Sequence, residues 1–479
     1  MVVPAKEDFL YKILESGKYG FMDETGKVIV EPRYGTVRYQ HDGVIWVNEG
    51  GTKEYSVIHS GGVWGLIDSS GNVLFEPRLQ LRDLNDFSEG VAWVKVADQE
   101  TRDASWGLID KSGTFILEPE HTFDISEGVT SFHDSVSHVK KDGKIGMVHK
   151  DGRFIVEPNV YNYISWLEGN RAWVHVGGIV DAGWWGDGIQ SGLWGLIDQE
   201  GNIVVKPRFD DHYSFSDGVA WINQGGSRDE PSLLDPSPDC VGGKWGLIDP
   251  DGRLILDYKY DEVYNFNEGK ALVKDEGIWK IIGKDGTTKV SFNQELDEIH
   301  PISDGLLQVT VNGLYGYIDE AGDYVLQPIY EDVKGYKGIA WVKKGGNWQI
   351  FNKKNRELVT PETRIEKINT VGEDHSVFIV DGKYGIINTK GKVILEPRFS
   401  FAYNFQEGVT WVYEGGYIDG WSGLRGGKWR LVDEAGNFLT PPKYDHMFYF
   451  RMPLTEVKAG NEWGYVNRKG EEIWFSSKT

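Results

Sequence analysis

The sequence predicts an all-β chain of tandem repeats, about twelve units of three short antiparallel strands, stacked as an open β-solenoid or superhelix. Three observations carry the prediction. A Trp-Gly step, or a worn version of it, recurs at positions 19, 64, 106, 145, 194, 245, 279, 315, 348, 384, 429 and 463, at spacings of 33 to 51 residues, and self-similarity at such a period marks a repeat architecture. Each unit divides into short runs rich in Val, Ile, Trp and Phe, bounded by Gly, Asp or Pro, which is a strand signature. No stretch sustains helical periodicity.

The unit is clearest in VWGLIDSSGNVLFEPR from Val63, LWGLIDQEGNIVVKPRF from Leu193 and KWGLIDPDGRLILDYKY from Lys244. Its first strand precedes the Trp-Gly step, as in RAWVHV from Arg171. The second carries the step, as in LWGLID, and the third follows a short turn, as in NIVVKPRF from Asn202. The turn reads Asp-x-x-Gly, as at Asp198 to Gly201. A leading Asp accepts hydrogen bonds from turn amides, and a closing Gly supplies a positive φ, so the second and third strands form a tight hairpin. Asp23, Asp68, Asp110, Asp249, Asp319 and Asp433 hold the same place, with Asn352, Asn388 and Asn467 as near equivalents.

The third strand stops at Pro (Pro32, Pro77, Pro119, Pro158, Pro207, Pro328, Pro397), which cannot donate to a ladder. A connection follows that ends in an aromatic residue, an acid and Gly, as in FSEG at Phe87, FSDG at Phe215, FNEG at Phe266 and FQEG at Phe405. The Gly suits a positive φ, and the Phe is expected to plug the space between adjacent units. The chain opens on a first strand (YKIL at Tyr11) and closes on a third (EEIWF at Glu471), so no spare strand is expected to close a ring. Twelve units also exceed the roughly 4–8 blades of a propeller. The expected organisation is one continuous array over residues 1–479. The alternative is two six-bladed, propeller-like halves, 1–258 and 259–479.

Composition bounds the partners. Asp plus Glu total 73 against 51 Lys plus Arg, a formal charge of −22. So acidic a chain repels nucleic acid and anionic membranes and favours basic partners. The single Cys240 can form neither an internal disulfide nor a zinc cluster. MVVPAKEDFLYKILESGKYG lacks an apolar core of signal-peptide length, and no apolar run approaches the roughly 18–20 residues of a membrane span. The expectation is a cytoplasmic chain as written, without membrane insertion, or a secreted or surface one if a leader has been removed.

These residues resemble the bacterial WG (KWG) repeat family: Trp-Gly, an aliphatic pair, Asp, then Gly and a strand ending in Pro. The resemblance covers nearly the whole chain. It departs at Trp279-Lys280, Trp348-Gln349 and Trp429-Arg430, where the glycine is missing. It implies a repeat scaffold with a role in recognition, and it supplies no catalytic residue.

Most of the nineteen Trp belong to the motif. Trp64, Trp106, Trp194, Trp245, Trp279, Trp348, Trp429 and Trp463 hold the step, while Trp46, Trp93, Trp173, Trp221, Trp341 and Trp411 lie in first strands. Both sets read as a stacked apolar rib, each ring burying on the order of 200 Å². Trp166 takes the place of a connection Phe, and Trp474 lies in the last strand. Trp184, Trp185 and Trp421 differ, because they sit in the glycine-rich insertions GGIVDAGWWGDGIQSG from Gly177 and GGYIDGWSGLRGG from Gly415. Three further insertions fill the same slot between first and second strands: EGGTKEYSVIHSGG from Glu49, ADQETRDAS from Ala97 and QGGSRDEPSLLDPSPDCVGG from Gln224. In a repeat stack, insertions gather on one face, often the binding face. The loop Trp either cap a neighbouring unit or contact a partner. Asp181 and Asp419 either hydrogen-bond sugar hydroxyls beside a stacking ring or cap the loop backbone.

No Walker loop, Gly-x-Ser-x-Gly elbow or His-Glu-x-x-His spacing is present. No catalytic, cofactor-binding or metal-binding residue is therefore assigned, and no cofactor. One acid before each connecting Gly (Glu89, Glu127, Glu168, Asp217, Glu268, Asp304, Glu407) is too thin for the roughly six to eight oxygens of a Ca²⁺ shell; turn chemistry explains these acids better. The expected function is a non-enzymatic interaction scaffold that offers a β-repeat surface to a macromolecule, foremost a basic protein. The alternative is a lectin-like or cell-wall-binding protein that stacks sugars on Trp184, Trp185 and Trp421.

Overall fold

The computed structural model describes residues 9–54, 58–97, 104–124, 129–178, 180–183, 186–189, 191–228, 240–292, 296–301, 305–419, 423–448, 450 and 453–476. Among them no residue is helical, so the all-β expectation holds. The chain forms two compact units, Met1–Asp23 with Lys27–Ser291, and Glu24–Gly26 with Phe292–Thr479.

In both units every repeat is its own small antiparallel sheet. In the first unit, Asp211–His212, Ala220–Arg228, Cys240–Ile248 and Leu254–Tyr260 pair in that order, each strand antiparallel to the next. The second unit repeats the pattern in Glu298–Pro301, Leu306–Val311, Leu314–Asp319 and Tyr324–Tyr330. The open solenoid is thereby corrected. A solenoid runs its ladders along the stack, whereas each described sheet here is completed within one repeat, as a propeller blade is. The three-strand count is also short by one. The extra strand leads most of the sheets, though not those that begin at Tyr11–Glu15 and Val136–Lys141, and is often only two residues long, such as Thr36–Val37 or Glu262–Val263, too short to show alternation.

The third strand explains the Trp-Gly step. Trp194 pairs with Phe209 and Leu196 with Val205, so the register slips across Pro207. The slipped strand presses onto Gly195, where a Cβ would lie 2.6 Å from the Val205 carbonyl oxygen and 2.7 Å from Pro207 N. The same fit recurs at Gly65 against Pro77 and at Gly316 against Pro328. Where Lys280 takes the place of the glycine the slip is missing, whereas around Arg430 it persists between two bridges. Lys280 and Ile281 face Ser291 and Val290 in regular register, and the sheet containing Arg430 has no third strand, only the bridges Trp429↔Tyr444 and Val432↔Phe438.

The Asp-x-x-Gly turns form as expected. Asp198 Oδ1 accepts from the amides of Glu200 and Asn202 at 3.0 and 2.8 Å, and Gly201 takes φ 84°. Asp68 is built alike; burial pushes its carboxyl up, but hydrogen bonds from Asn72 and Ser70 outweigh this and leave it below its ordinary value.

The core is a series of clusters, each joining consecutive sheets, as a nearest-neighbour array requires. First-strand Trp46, Trp93, Trp173, Trp221 and Trp341 are fully buried. The connection aromatics seal them: Phe87 lies 5.3 Å from Trp46, Phe266 5.5 Å from Trp221 and Phe215 5.6 Å from Trp173, ring centre to ring centre. The acids of the connections do more than turn the chain. Glu89 and Asp217 adopt φ of 53° and 54°, and each carboxylate accepts from a backbone amide of the next repeat, Ser135 at 2.9 Å and Gly269 at 2.6 Å. Lys150 adds an ion pair to Glu89 at 3.2 Å.

One seal departs from this chemistry. His138 replaces the first-strand Trp and Trp166 the Phe, with ring centres 4.3 Å apart. Burial pushes the His138 imidazole down to about 4, against a smaller opposing effect of a backbone hydrogen bond at Ser165. The unfolded chain thus binds this proton near pH 6.5 and the folded one only near 4, so stability falls as pH drops through that window. His138→Phe should remove that slope and gain about 2 kcal/mol on wild type at pH 5 relative to pH 7.5. Urea unfolding at both values checks this, and an equal difference at both would refute it.

Candidate functional site

In repeats without an insertion, the first and second strands meet in two-residue turns. Asp142-Gly143, Glu276-Gly277, Asn312-Gly313 and Asp381-Gly382 have positive φ at both residues, as a type I′ turn requires. An acid following the preceding third strand caps these turns. Asp124 accepts from the Asp142 amide at 3.0 Å, Asp297 from Gly313 at 3.1 Å and Glu366 from Asp381 at 2.9 Å.

Four of the five insertions continue this hairpin as a two-stranded ribbon. Thr52–Glu54 pairs with Ile58–Ser60, Val180–Gly183 with Gly186–Ile189 and Tyr417–Asp419 with Gly423–Arg425. In the fourth case, Ala220–Arg228 and Cys240–Ile248 run through from sheet to ribbon. Each ribbon keeps the register of its parent hairpin. Glu49 faces Val63 at the end of one sheet, and beyond the junction Thr52 faces Ser60. Among their described residues, the insertions expected as loops are mostly extended strand.

Two successive opposed pairs form every junction: 50/62 and 51/61, 177/192 and 178/191, 225/243 and 226/242, 415/427 and 416/426. All of these residues but Ser191 are glycine. Both rails turn here with positive φ, for example 85° at Gly225 and 68° at Gly243, and the rails come so close that a Cβ on Gly243 would lie 2.4 Å from Gly226 N. The residue opposite the step Trp, the fifth of the first strand counted from Val44, Arg171, Val219 or Val409, reaches into the junction. Asn48 Oδ1 accepts from the Gly51 amide at 2.9 Å and Asn223 Oδ1 from Gly226 at 3.1 Å. Their Nδ2 groups donate to the Gly61 and Gly242 carbonyls at 3.4 and 3.3 Å. Tyr413 Oη accepts from Gly427 at 2.9 Å.

Of the residues singled out in the sequence, Trp184, Trp185 and Trp421 lie outside the described residues. The backbone of Asp181 stands opposite Gly188 in its ribbon, at the place Asp419 holds opposite Gly423 in another. Asp419 is half-buried and lies 3.5 Å from Arg425 Nε of the same ribbon, which favours a structural role for this carboxylate. The same ribbon exposes Tyr417 at 60% and Ile418 at 51%, apolar surface that none of the sequence arguments pointed to. The junction residues Asn48, His175, Asn223 and Tyr413 were missed as well. Their signal was a polar or aromatic side chain two residues before Gly-Gly. Among the described residues no group of three or more His, Cys, Asp or Glu could hold a metal ion, and no helix is long and apolar enough to cross a membrane.

A family model described as WG containing repeat matches residues 19–52, 64–98, 106–144, 194–227, 245–279, 315–348, 384–417 and 429–462. No curated protein matches the chain. Among solved structures, the chain is similar to a eukaryotic initiation factor at 9% identity and TM-score 0.37, over 98% of this chain and 96% of that one. It is also similar to the extracellular domain of a putative hybrid two-component system from B. thetaiotaomicron, at 11% identity and TM-score 0.21, over 99% and 71%. A third likeness is to tricorn protease, at 12% identity and TM-score 0.23, over 94% and 46%. Each score lies below 0.5, and none of these likenesses carries an argument about function.

Proposed function

We infer from the WG-containing repeat family, to which this chain belongs, that it is a non-enzymatic interaction scaffold whose inserted ribbons contact a macromolecular partner, a basic protein. The observation that carries this reading is the placement of the ribbons: they issue from one hairpin of the repeat and keep its register. They expose apolar residues such as Tyr417 and Ile418 to solvent. Charge favours a basic partner. Across the five insertions twelve Asp and Glu stand against four Lys and Arg, and such an imbalance speeds association with a cationic surface in a salt-dependent way.

The test removes the ribbons and leaves the sheets. Residues 50–62, 177–192, 225–243 and 415–427 would each be replaced by Asp-Gly, the turn the protein already uses at Asp142-Gly143. The trimmed chain is expected to keep the wild-type melting temperature and to lose capture of a basic protein from lysate of the source organism at low salt. Capture that survives the trimming would count against the ribbons. Capture of polysaccharide that is indifferent to salt, and lost in a Trp184→Ala, Trp185→Ala, Trp421→Ala variant, would replace this reading by the lectin-like one.

A further inference from the structure

Glycine at both rails of each ribbon junction would by itself make a hinge, because it is the residue least restrained in φ and ψ. The described junctions are not left to glycine alone. Asn48 and Asn223 are both 0% exposed, and each side-chain amide spans the two rails, accepting from one strand and donating to the other. It bonds to both rails at the glycine pair just past the turn, where the strands part from their sheet. The glycines make room for it. A Cβ on Gly51 or Gly62 would lie 2.4 Å from Asn48 Oδ1, and one on Gly226 or Gly243 would lie 2.6 or 2.3 Å from Asn223 Oδ1. His175 fills the same place in a third junction, where a Cβ on Gly192 would lie 2.5 Å from its Nε2.

In four repeats without a ribbon this place is held by lysine, and in two others by Thr310 and Ile379. Lys274, Lys343 and Lys458 place their ammonium groups 5.2, 5.7 and 5.3 Å from the ring centres of Trp279, Trp348 and Trp463, and the hairpin closes within two residues. The insertion of residues 97–105 has no glycine pair, and its fifth residue is accordingly Lys95, 5.3 Å over Trp106. A buried polar group keeps its place only while its partners are satisfied. We propose that the fifth residue of the first strand is a latch that locks each ribbon to its sheet as one rigid piece, so that the ribbon is held in a single orientation before any partner arrives. This is a conformational property of the chain by itself, and it stands whether or not the ribbons bind.

Hydrogen–deuterium exchange of the full chain, wild type against Asn223→Ala, tests it without a partner. Amides of residues 226–228 and 240–242, paired across the ribbon, are expected to exchange at least tenfold faster in the variant, with those of Leu254–Tyr260 unchanged. Lys343→Ala, in a repeat without a ribbon, should change nothing at its hairpin. Unchanged ribbon rates in Asn223→Ala, or a rise shared equally by ribbon and sheet, would overturn the latch. If that variant does not fold, Asn48→Ala read over residues 51–61 decides by the same criteria. Failure here would leave ribbon docking untouched, and failure of docking would leave these rates as they are.

Discussion

A Trp221→Ala variant is expected to lose about 3–5 kcal/mol of stability, read from the midpoint of urea unfolding. The ring is 1% exposed. It meets Tyr260 edge-on at 5.6 Å, stacks on Phe266 at 5.5 Å, and donates from Nε1 to the Tyr264 carbonyl at 3.0 Å. Truncation leaves a cavity at the contact between two sheets and an unpaired carbonyl beside it, and each adds to the lost burial. In an array of nearest-neighbour contacts the damage falls first on those two sheets, so an early unfolding step is expected before the main transition. Trp463, 37% exposed, is the comparison: its truncation should cost less than half as much. Equal losses would mean that the first-strand Trp is not the seal between repeats.

Gly195→Ala is expected to cost about 3 kcal/mol, through overpacking and the backbone shift it forces. The atoms in the way are the Val205 carbonyl oxygen and Pro207 N, both backbone, and backbone in a sheet cannot turn aside as a side chain can. Gly246→Ala gives the scale. There the third strand carries Tyr258 where other repeats have Pro, and the nearest atom to a Cβ is 3.0 Å away, so a loss of about 1 kcal/mol is expected. Thermal unfolding of the two variants side by side decides the point. Similar losses would show that the glycine is not there to admit the slipped proline strand.

How far the sequence could be read follows from the range of each interaction. The Asp198–Gly201 turn closes within four residues, so its chemistry lies in one short string, and the structure matches the expectation bond for bond. The Phe266 seal was legible because a large aromatic recurs at the one point where neighbouring repeats must meet. The partnership of Gly195 with Pro207 was not, since it acts across two strands and leaves no local mark beyond two conserved-looking letters in the motif. The leading strands escaped because two residues, such as Glu262–Val263, cannot show a period of two. Without them the sheets looked too small to be blades, which weighed against the two propeller-like halves; the solenoid itself rested on the missing closing strand and on a unit count above that of a propeller. The insertions were recognised and two of them read as glycine-rich, but Gly225 and Gly243 stand eighteen residues apart in sequence. Only the strand register shows that they face each other.

That register has a consequence for how such a chain diversifies. A segment added at the hairpin leaves every inward and outward position of the parent sheet as it was, since the pairing of Gln224 with Lys244 is followed without a shift by that of Gly226 with Gly242. The hairpin therefore works as a socket. Cassettes of different length and composition can be exchanged there while the sheet beneath keeps its packing, and new specificities can be tried at one repeat without renegotiating the others. The shortest version of the socket is Asp142-Gly143 and the longest spans residues 224–243, both within a single chain.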